Sequence, residues 1–197
     1  EGYESRKLRI HVGLVFQYPE HQLSEVDVLT DVCFGPKNQG LTPEECEKRA
    51  TEALRLVGLK EKYWKSSPFE LSGGQKRRAA IAGVLAMRPG VLVLDEPTAG
   101  QDIHGVNCLV HIMDTLRSEG KGVIVITHDM EFVARNFERV IVMAHRHIIA
   151  DGPVHEVFQN DEVLRAAAIQ KPQIGQLAAS LGHPDILFSE DLVKVLH

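Results

Sequence analysis

The sequence predicts an α/β fold built on a mostly parallel sheet, and three observations carry that expectation. Apolar runs stand at Val12-Gly13-Leu14-Val15-Phe16, at Val91-Leu92-Val93-Leu94 and at Val123-Ile124-Val125-Ile126-Thr127. Runs of this kind suit strands buried on both faces of a parallel sheet. Helical patterns separate them, as expected of strand–helix–strand units. Two carboxylates, Asp95 and Glu96, close the second run, and the carboxyl end of such strands is where open α/β sheets hold their ligands.

Taken in order, the first run ends at the polar residue Gln17. Thr42 then precedes Pro43, with Glu45 three residues after the cap, and Ala50, Ala53, Leu54 and Val57 recur at helical spacing until Gly58 stops the pattern. Residues 31–65 are therefore expected to be largely helical. Tyr63, Trp64 and Phe69 fit either a binding groove or the packing of this segment, and packing is the reading favoured for large aromatics. The next helix, over 72–87, starts at Leu71-Ser72-Gly73-Gly74-Gln75. Ser72 can cap it, Gln75 completes the capping box, and the two glycines leave the first-turn N–H groups sterically open. Such a start can hold an anion, because backbone donors and the positive end of the helix dipole point at whatever docks there. The plain alternative is a well-capped helix with a basic first turn. Ala80, Ile81, Val84 and Leu85 share its apolar face, while Lys76, Arg77 and Arg78 oppose the dipole and are expected to lie near phosphate or in solvent.

After Asp102 a helix is expected to about Ser118, and Gly120-Lys121-Gly122 breaks the chain before the third apolar run, which ends at His128-Asp129. Val140-Ile141-Val142-Met143 and Ile148-Ile149-Ala150 read as a hairpin-like pair, and Asp151-Gly152-Pro153 as a turn into a short helix ending near Asn160. Three short helical patterns in 161–197, separated by Lys171-Pro172 and His183-Pro184, form a helical appendage.

A formal net charge of -5 argues against a general nucleic-acid binder. No stretch approaches the roughly 18 to 20 apolar residues that cross a bilayer, so membrane association is expected to run through a partner. Polar residues 1–9 lack the apolar segment of a signal peptide. Cys33, Cys46 and Cys108 are odd in number and widely spaced, and read as reduced thiols. His145 and His147 would share a face if both lay in a strand, which makes a metal site conceivable, but no nearby Cys or His cluster completes a ligand set.

An Asp ending a buried strand can hold Mg²⁺ beside phosphates, and a second carboxylate next to it can orient or deprotonate water. Together, LSGGQ at 71–75 and VLVLDEPTAGQD at 91–102 resemble the signature motif, Walker B motif and D-loop of the ATP-binding cassette (ABC) ATPases. Tyr18-Pro19-Glu20-His21-Gln22-Leu23, Phe34-Gly35-Pro36-Lys37-Asn38 and Ser67-Pro68-Phe69-Glu70 are similar to one branch, the energy-coupling factor (ECF) and cobalt–nickel uptake ATPases. The resemblance implies a P-loop NTPase-like core at 1–160, an inserted helical subdomain at about 31–90 and a C-terminal helical extension at 161–197.

The resemblance also implies the site. Asp95 and Gln17 would meet Mg²⁺, Glu96 would be the general base, Gln17 would sense the attacking water, and His128 would contact the ATP γ-phosphate. Ser72, Gly73, Gly74 and Gln75 would close over ATP held by a second ABC subunit, Asp102 would communicate across that interface, and an integral membrane coupling subunit would dock on the helical subdomain. Such a protein works at the cytoplasmic face of the cell membrane and powers uptake of a vitamin or transition-metal ion. Gln101 departs from the Leu common in the D-loop.

One family motif has no counterpart. A phosphate-binding loop, G-x-x-x-x-G-K-[ST], should precede Gln17, yet Gly2 and Gly13 are the glycines of residues 1–16. The expectation is a chain truncated before or through that loop. Losing three charge-assisted hydrogen bonds of about 1.5 to 3 kcal/mol each would weaken ATP binding by on the order of 10³-fold or more, so the chain alone is expected neither to bind ATP tightly nor to hydrolyse it. Two other classes stay open: a non-catalytic partner that lends LSGGQ to another subunit, and a DNA-repair or clamp ATPase, which would need a long coiled coil where the short interval from Gln17 to Ser72 stands.

Overall fold

The computed structural model describes residue 8 and residues 10–196. Apart from Leu8, the polar opening at 1–9 lies outside the described residues, as does His197 at the end of the appendage. The chain divides into two compact units, Glu1–Ile126 and Thr127–His197.

The first unit is built on a three-stranded parallel sheet of β1 (Val12–Val15), β2 (Val91–Asp95) and β3 (Gly122–Ile126), in the order β1-β2-β3. Val12 pairs with Val91, and Val91 with Gly122, so the three strands run level to their carboxyl ends. Between β1 and β2 lie α1 (Val28–Asn38), α2 (Pro43–Leu56) and α3 (Gly73–Leu85), and α4 (Ile103–Ser118) connects β2 to β3. Local capping explains where these helices begin. The Asp27 carboxylate accepts from Thr30 N, the Thr42 hydroxyl from Glu45 N, and the Asp102 carboxylate from Gly105 N. Gly58, at φ 67, takes the left-handed conformation that ends α2. Trp64 is buried and its Nε1 donates to Leu59 O at 2.8 Å, which is packing, as the sequence suggested. Phe69 is 77% exposed and does not pack that way.

One expectation about the sheet fails. Leu92, Leu94 and Val15 are buried, but Leu14, Ile124 and Ile126 on the other face are 42, 53 and 54% exposed. The strands alternate and are not buried on both faces. The reason lies in what covers each face. A Cβ on Gly13 would stand 2.7 Å from Val84 Cγ1 of α3, so that face is packed, whereas Leu14, Ile124 and Ile126 point away from it.

The second unit pairs β4 (Arg139–Ala144) with β5 (His147–Pro153) in an antiparallel hairpin with an irregular register at Val142/Met143. His145 and Arg146 form its two-residue turn at φ 52 and 67, the double positive φ of a type I′ hairpin. His145 therefore does not share a strand face with His147, and the geometric basis for a metal pair is lost. Asp151 to Pro153 belong to β5 and are not a turn, because Arg139 Nε and Nη2 each donate to the Asp151 carboxylate at 2.7 Å across the hairpin. Helices α5 (Met130–Asn136), α6 (Val154–Gln159), α7 (Asp161–Ala167), α8 (Gln173–Ser180) and α9 (Ser189–Leu196) complete the unit. Val133, Ala134, Phe158, Leu164 and Leu187 form its core, so α7 and the segment at Leu187 pack with α5 and α6. The three cysteines are free thiols. Among the described residues no helix is long and apolar enough to cross a membrane.

Candidate functional site

The site grows from the carboxyl end of β2. Asp95 is the last residue of that strand and pairs with Ile126. Glu96 follows at φ 45, and its N–H still donates to Ile126 O at 2.8 Å. A left-handed glutamate is uncommon and costs on the order of 1 kcal/mol or more. The kink turns the chain out of the sheet at the point where two carboxylates meet solvent, and strain of this kind concentrates at functional positions. The turn then closes on itself, with Ala99 N donating to Glu96 O at 3.2 Å and Gln101 N to Thr98 O at 3.0 Å. Gly100, at φ 68, carries it into Asp102, the N-cap of α4.

Val15 of β1 pairs with Leu94. Gln17 follows two residues after the end of β1. The segment after Gln17 is anchored, since the Asp31 carboxylate accepts from Ser24 N and Glu25 N, both at 2.9 Å. Asp95 and Glu96 thus stand at the carboxyl end of the central strand, and Gln17 lies just beyond the carboxyl end of the neighbouring strand β1. Asp95 with the Gln17 carboxamide offers oxygen donors, the type a hard cation such as Mg²⁺ prefers.

At the start of α3 the capping box is formed in full. Ser72 N donates to Gln75 Oε1 at 2.9 Å and Gln75 N to the Ser72 hydroxyl at 3.4 Å. The donors that the box leaves over in the first turn are the N–H groups of Gly73 and Gly74. A Cβ on Gly73 would meet nothing within 4 Å, and one on Gly74 only Arg78 Nη1 at 3.8 Å. The chain's own packing does not need glycine here, which leaves the first turn of α3 bare.

His128 lies in the second unit, two residues past the end of β3, and is exposed. Beside it Asp129 N donates to Thr127 Oγ1 at 3.0 Å, and the Asp129 carboxylate caps α5 by accepting from Phe132 N. The first unit carries Gln17, Asp95, Glu96, the Ser72–Gln75 start and Asp102, while His128 belongs to the other unit.

One member of the basic cluster, Arg77, departs from the expectation. Lys76 Nζ lies 5.9 Å from the Phe69 ring centroid. Arg77 is not in solvent: it is 5% exposed and donates to main-chain carbonyls of the turn after β2. Sequence reasoning missed this residue. The available signal was its spacing, since Arg77 precedes Ala80, Ile81 and Val84 by 3, 4 and 7 and so continues the apolar stripe.

Comparison with known proteins identifies a family. The ABC transporter family model matches residues 1–99. The energy-coupling factor transporter ATP-binding protein EcfA2 of Mycoplasmopsis synoviae is 46% identical over 169 residues, covering 86% of this chain and 54% of that protein. EcfA2 of Streptococcus pyogenes serotype M3 is 48% identical over 178 residues, covering 90% of this chain and 64% of its own length. The chain therefore spans a little over half to nearly two thirds of the curated relatives it matches. Among solved structures, cbiO1 from Clostridium perfringens, part of the ABC transporter complex cbiONQ, superposes with a TM-score of 0.73 at 39% identity, covering 91% of this chain and 71% of that one. A dimeric ATP-binding cassette in a post-hydrolysis state with ADP and Pi superposes at 0.67 with 29% identity, covering 78% of this chain and 67% of that one.

Proposed function

This chain belongs to the ATP-binding family of ABC transporters, and from that premise we propose that the protein it comes from is the ATP-hydrolysing subunit of an importer of the energy-coupling factor type. Vitamin or transition-metal uptake through a membrane partner is the work this reading assigns to it. The observation that carries the reading is Asp95 at the carboxyl end of the central parallel strand, followed at once by a left-handed Glu96.

In this reading Asp95 and Gln17 hold Mg²⁺, which when bound offsets phosphate charge. Glu96 takes a proton from the attacking water and Gln17 orients that water. His128 donates a hydrogen bond to the γ-phosphate. The Gly73 and Gly74 N–H groups face the phosphates of an ATP held by a second ABC subunit, and their lack of side chains permits that approach. Asp102, exposed at the N-terminus of α4, meets the same partner. A cleft of about 540 Å³ between the segment after Gln17 and α1, lined by Gln22, Leu23, Phe34, Gln39 and Met87, suits the helix of a membrane subunit. Such a subunit would bring the protein to the cytoplasmic face of the membrane, where the 161–197 helices serve as an extension of the ATPase.

The test is steady-state ATPase activity of the intact protein in its dimer. Glu96→Gln should cut turnover by about 10²- to 10⁴-fold, the usual worth of a general base, with Mg-ATP binding retained. An unchanged rate would assign the base to another group.

A further inference from the structure

Among the described residues Arg77 is the charged side chain that the fold buries, at 5% exposure. Its Nη1 donates to Ala99 O at 3.1 Å, and its Nη2 to Pro97 O at 2.9 Å and to Glu96 O at 3.2 Å. Among the described residues no carboxylate is hydrogen-bonded to it. The Glu20 carboxylate, in the turn Pro19–Gln22 beside α3, acts on it from a distance, and Glu20 Oε2 is itself buried without a hydrogen-bond partner among the described residues.

Taking a cation out of water to face neutral carbonyls is costly, and an apolar side chain of like size would fill the space without that penalty. What the guanidinium adds is a planar fork of donors with fixed geometry. Here the fork grips three carbonyls of one turn, and the first of them is the carbonyl of Glu96. One helical turn toward the N-terminus of α3, about 6 Å along the axis, stand Gly73 and Gly74 with their open N–H groups. The helix between is continuous, so its first turn cannot shift without dragging the fork and the carbonyls it holds.

We propose that Arg77 is a positioning residue that couples the anion-binding start of α3 to the backbone of Glu96. An anion seated on Gly73 and Gly74 fixes the helix, the helix fixes the guanidinium, and the guanidinium fixes the left-handed turn from which the Glu96 carboxylate projects. This inference rests on the proposed function, in that it takes Glu96 as the base and the helix start as a phosphate contact.

The experiment uses the intact protein in its dimer with Arg77→Met and Arg77→Lys, reading the melting temperature, KM for Mg-ATP and kcat. Losing one to two charge-assisted bonds at the base predicts a fall in kcat of about 10- to 100-fold for Arg77→Met, with KM moved by less than about threefold and the protein still folded. Lysine, a single point charge in place of a fork, should recover part of the lost kcat. If the methionine variant fails to fold, Arg77→Lys alone should still show a reduced kcat at unchanged KM. A folded variant of either kind with normal kcat would overturn the coupling role, and so would losses shared equally between kcat, KM and melting temperature with no recovery by lysine. Wild-type protein without ATPase activity would overturn the proposed function and this inference together, which separates that failure from a failure of Arg77 alone.

Discussion

Gly13 offers a direct test of how the sheet and α3 are locked together. A Cβ at this position would lie 2.7 Å from Val84 Cγ1 and 2.9 Å from Pro89 Cγ, against an ordinary carbon contact of about 3.5 to 4.0 Å. Neither neighbour is the loose end of a long side chain: one is β-branched and the other a ring. Forcing a methyl into such a place costs about 1 to 3 kcal/mol, and replacing glycine by alanine in a strand returns about 0.5 to 1 kcal/mol. Taking the middle of each range, about 2 less about 0.75, Gly13→Ala should destabilise by about 1 kcal/mol, read as a lower denaturant midpoint at unchanged slope. Val84→Ala removes the Cγ1 in question, so in the double variant the penalty should shrink, giving a coupling of about 0.5 to 1 kcal/mol in a double-mutant cycle. Equal midpoints for wild type and Gly13→Ala, or strictly additive effects of the two substitutions, would refute the close approach of β1 to α3.

Other perturbations address separate parts of the chain. Ser72→Ala removes the acceptor for Gln75 N and should cost about 1 kcal/mol of stability in thermal melts; an unchanged melt would mean that the box contributes nothing in solution. Replacing His145 by Asn and Arg146 by Gly supplies the residues that a double positive φ favours, and should raise stability by about 1 kcal/mol, a gain whose absence would argue against the type I′ turn. The Arg139 guanidinium hydrogen-bonded to Asp151 holds that carboxyl below its ordinary range. The pair thus contributes above about pH 4 and is lost as acid protonates the carboxylate. Melts of wild type and Asp151→Asn should differ slightly at pH 7, converge in acid and converge in high salt, and a gap that widened in acid would reverse the assignment.

What the sequence determined by itself was mostly local. The Ser72–Gln75 box and the Thr42 cap each close within four residues, so chain chemistry suffices to form them. The strand ends at Asp95 and near Gln17 were legible for the same reason, because an apolar run followed by a polar residue fixes both the element and its edge. The tertiary structure decided the rest. Arg77 looked like a surface cation, because the carbonyls that claim it lie 19 to 22 residues away and no local pattern reports them. Glu96 gave no hint of its left-handed backbone, since that follows from leaving β2 while its N–H stays bonded to β3. The sheet read as buried on both faces, yet alternation along a strand becomes visible only once it is known which face meets α3. The pairing of His145 with His147 failed on one turn, because hairpin register, set by cross-strand contacts, and not residue spacing decides which side chains share a face.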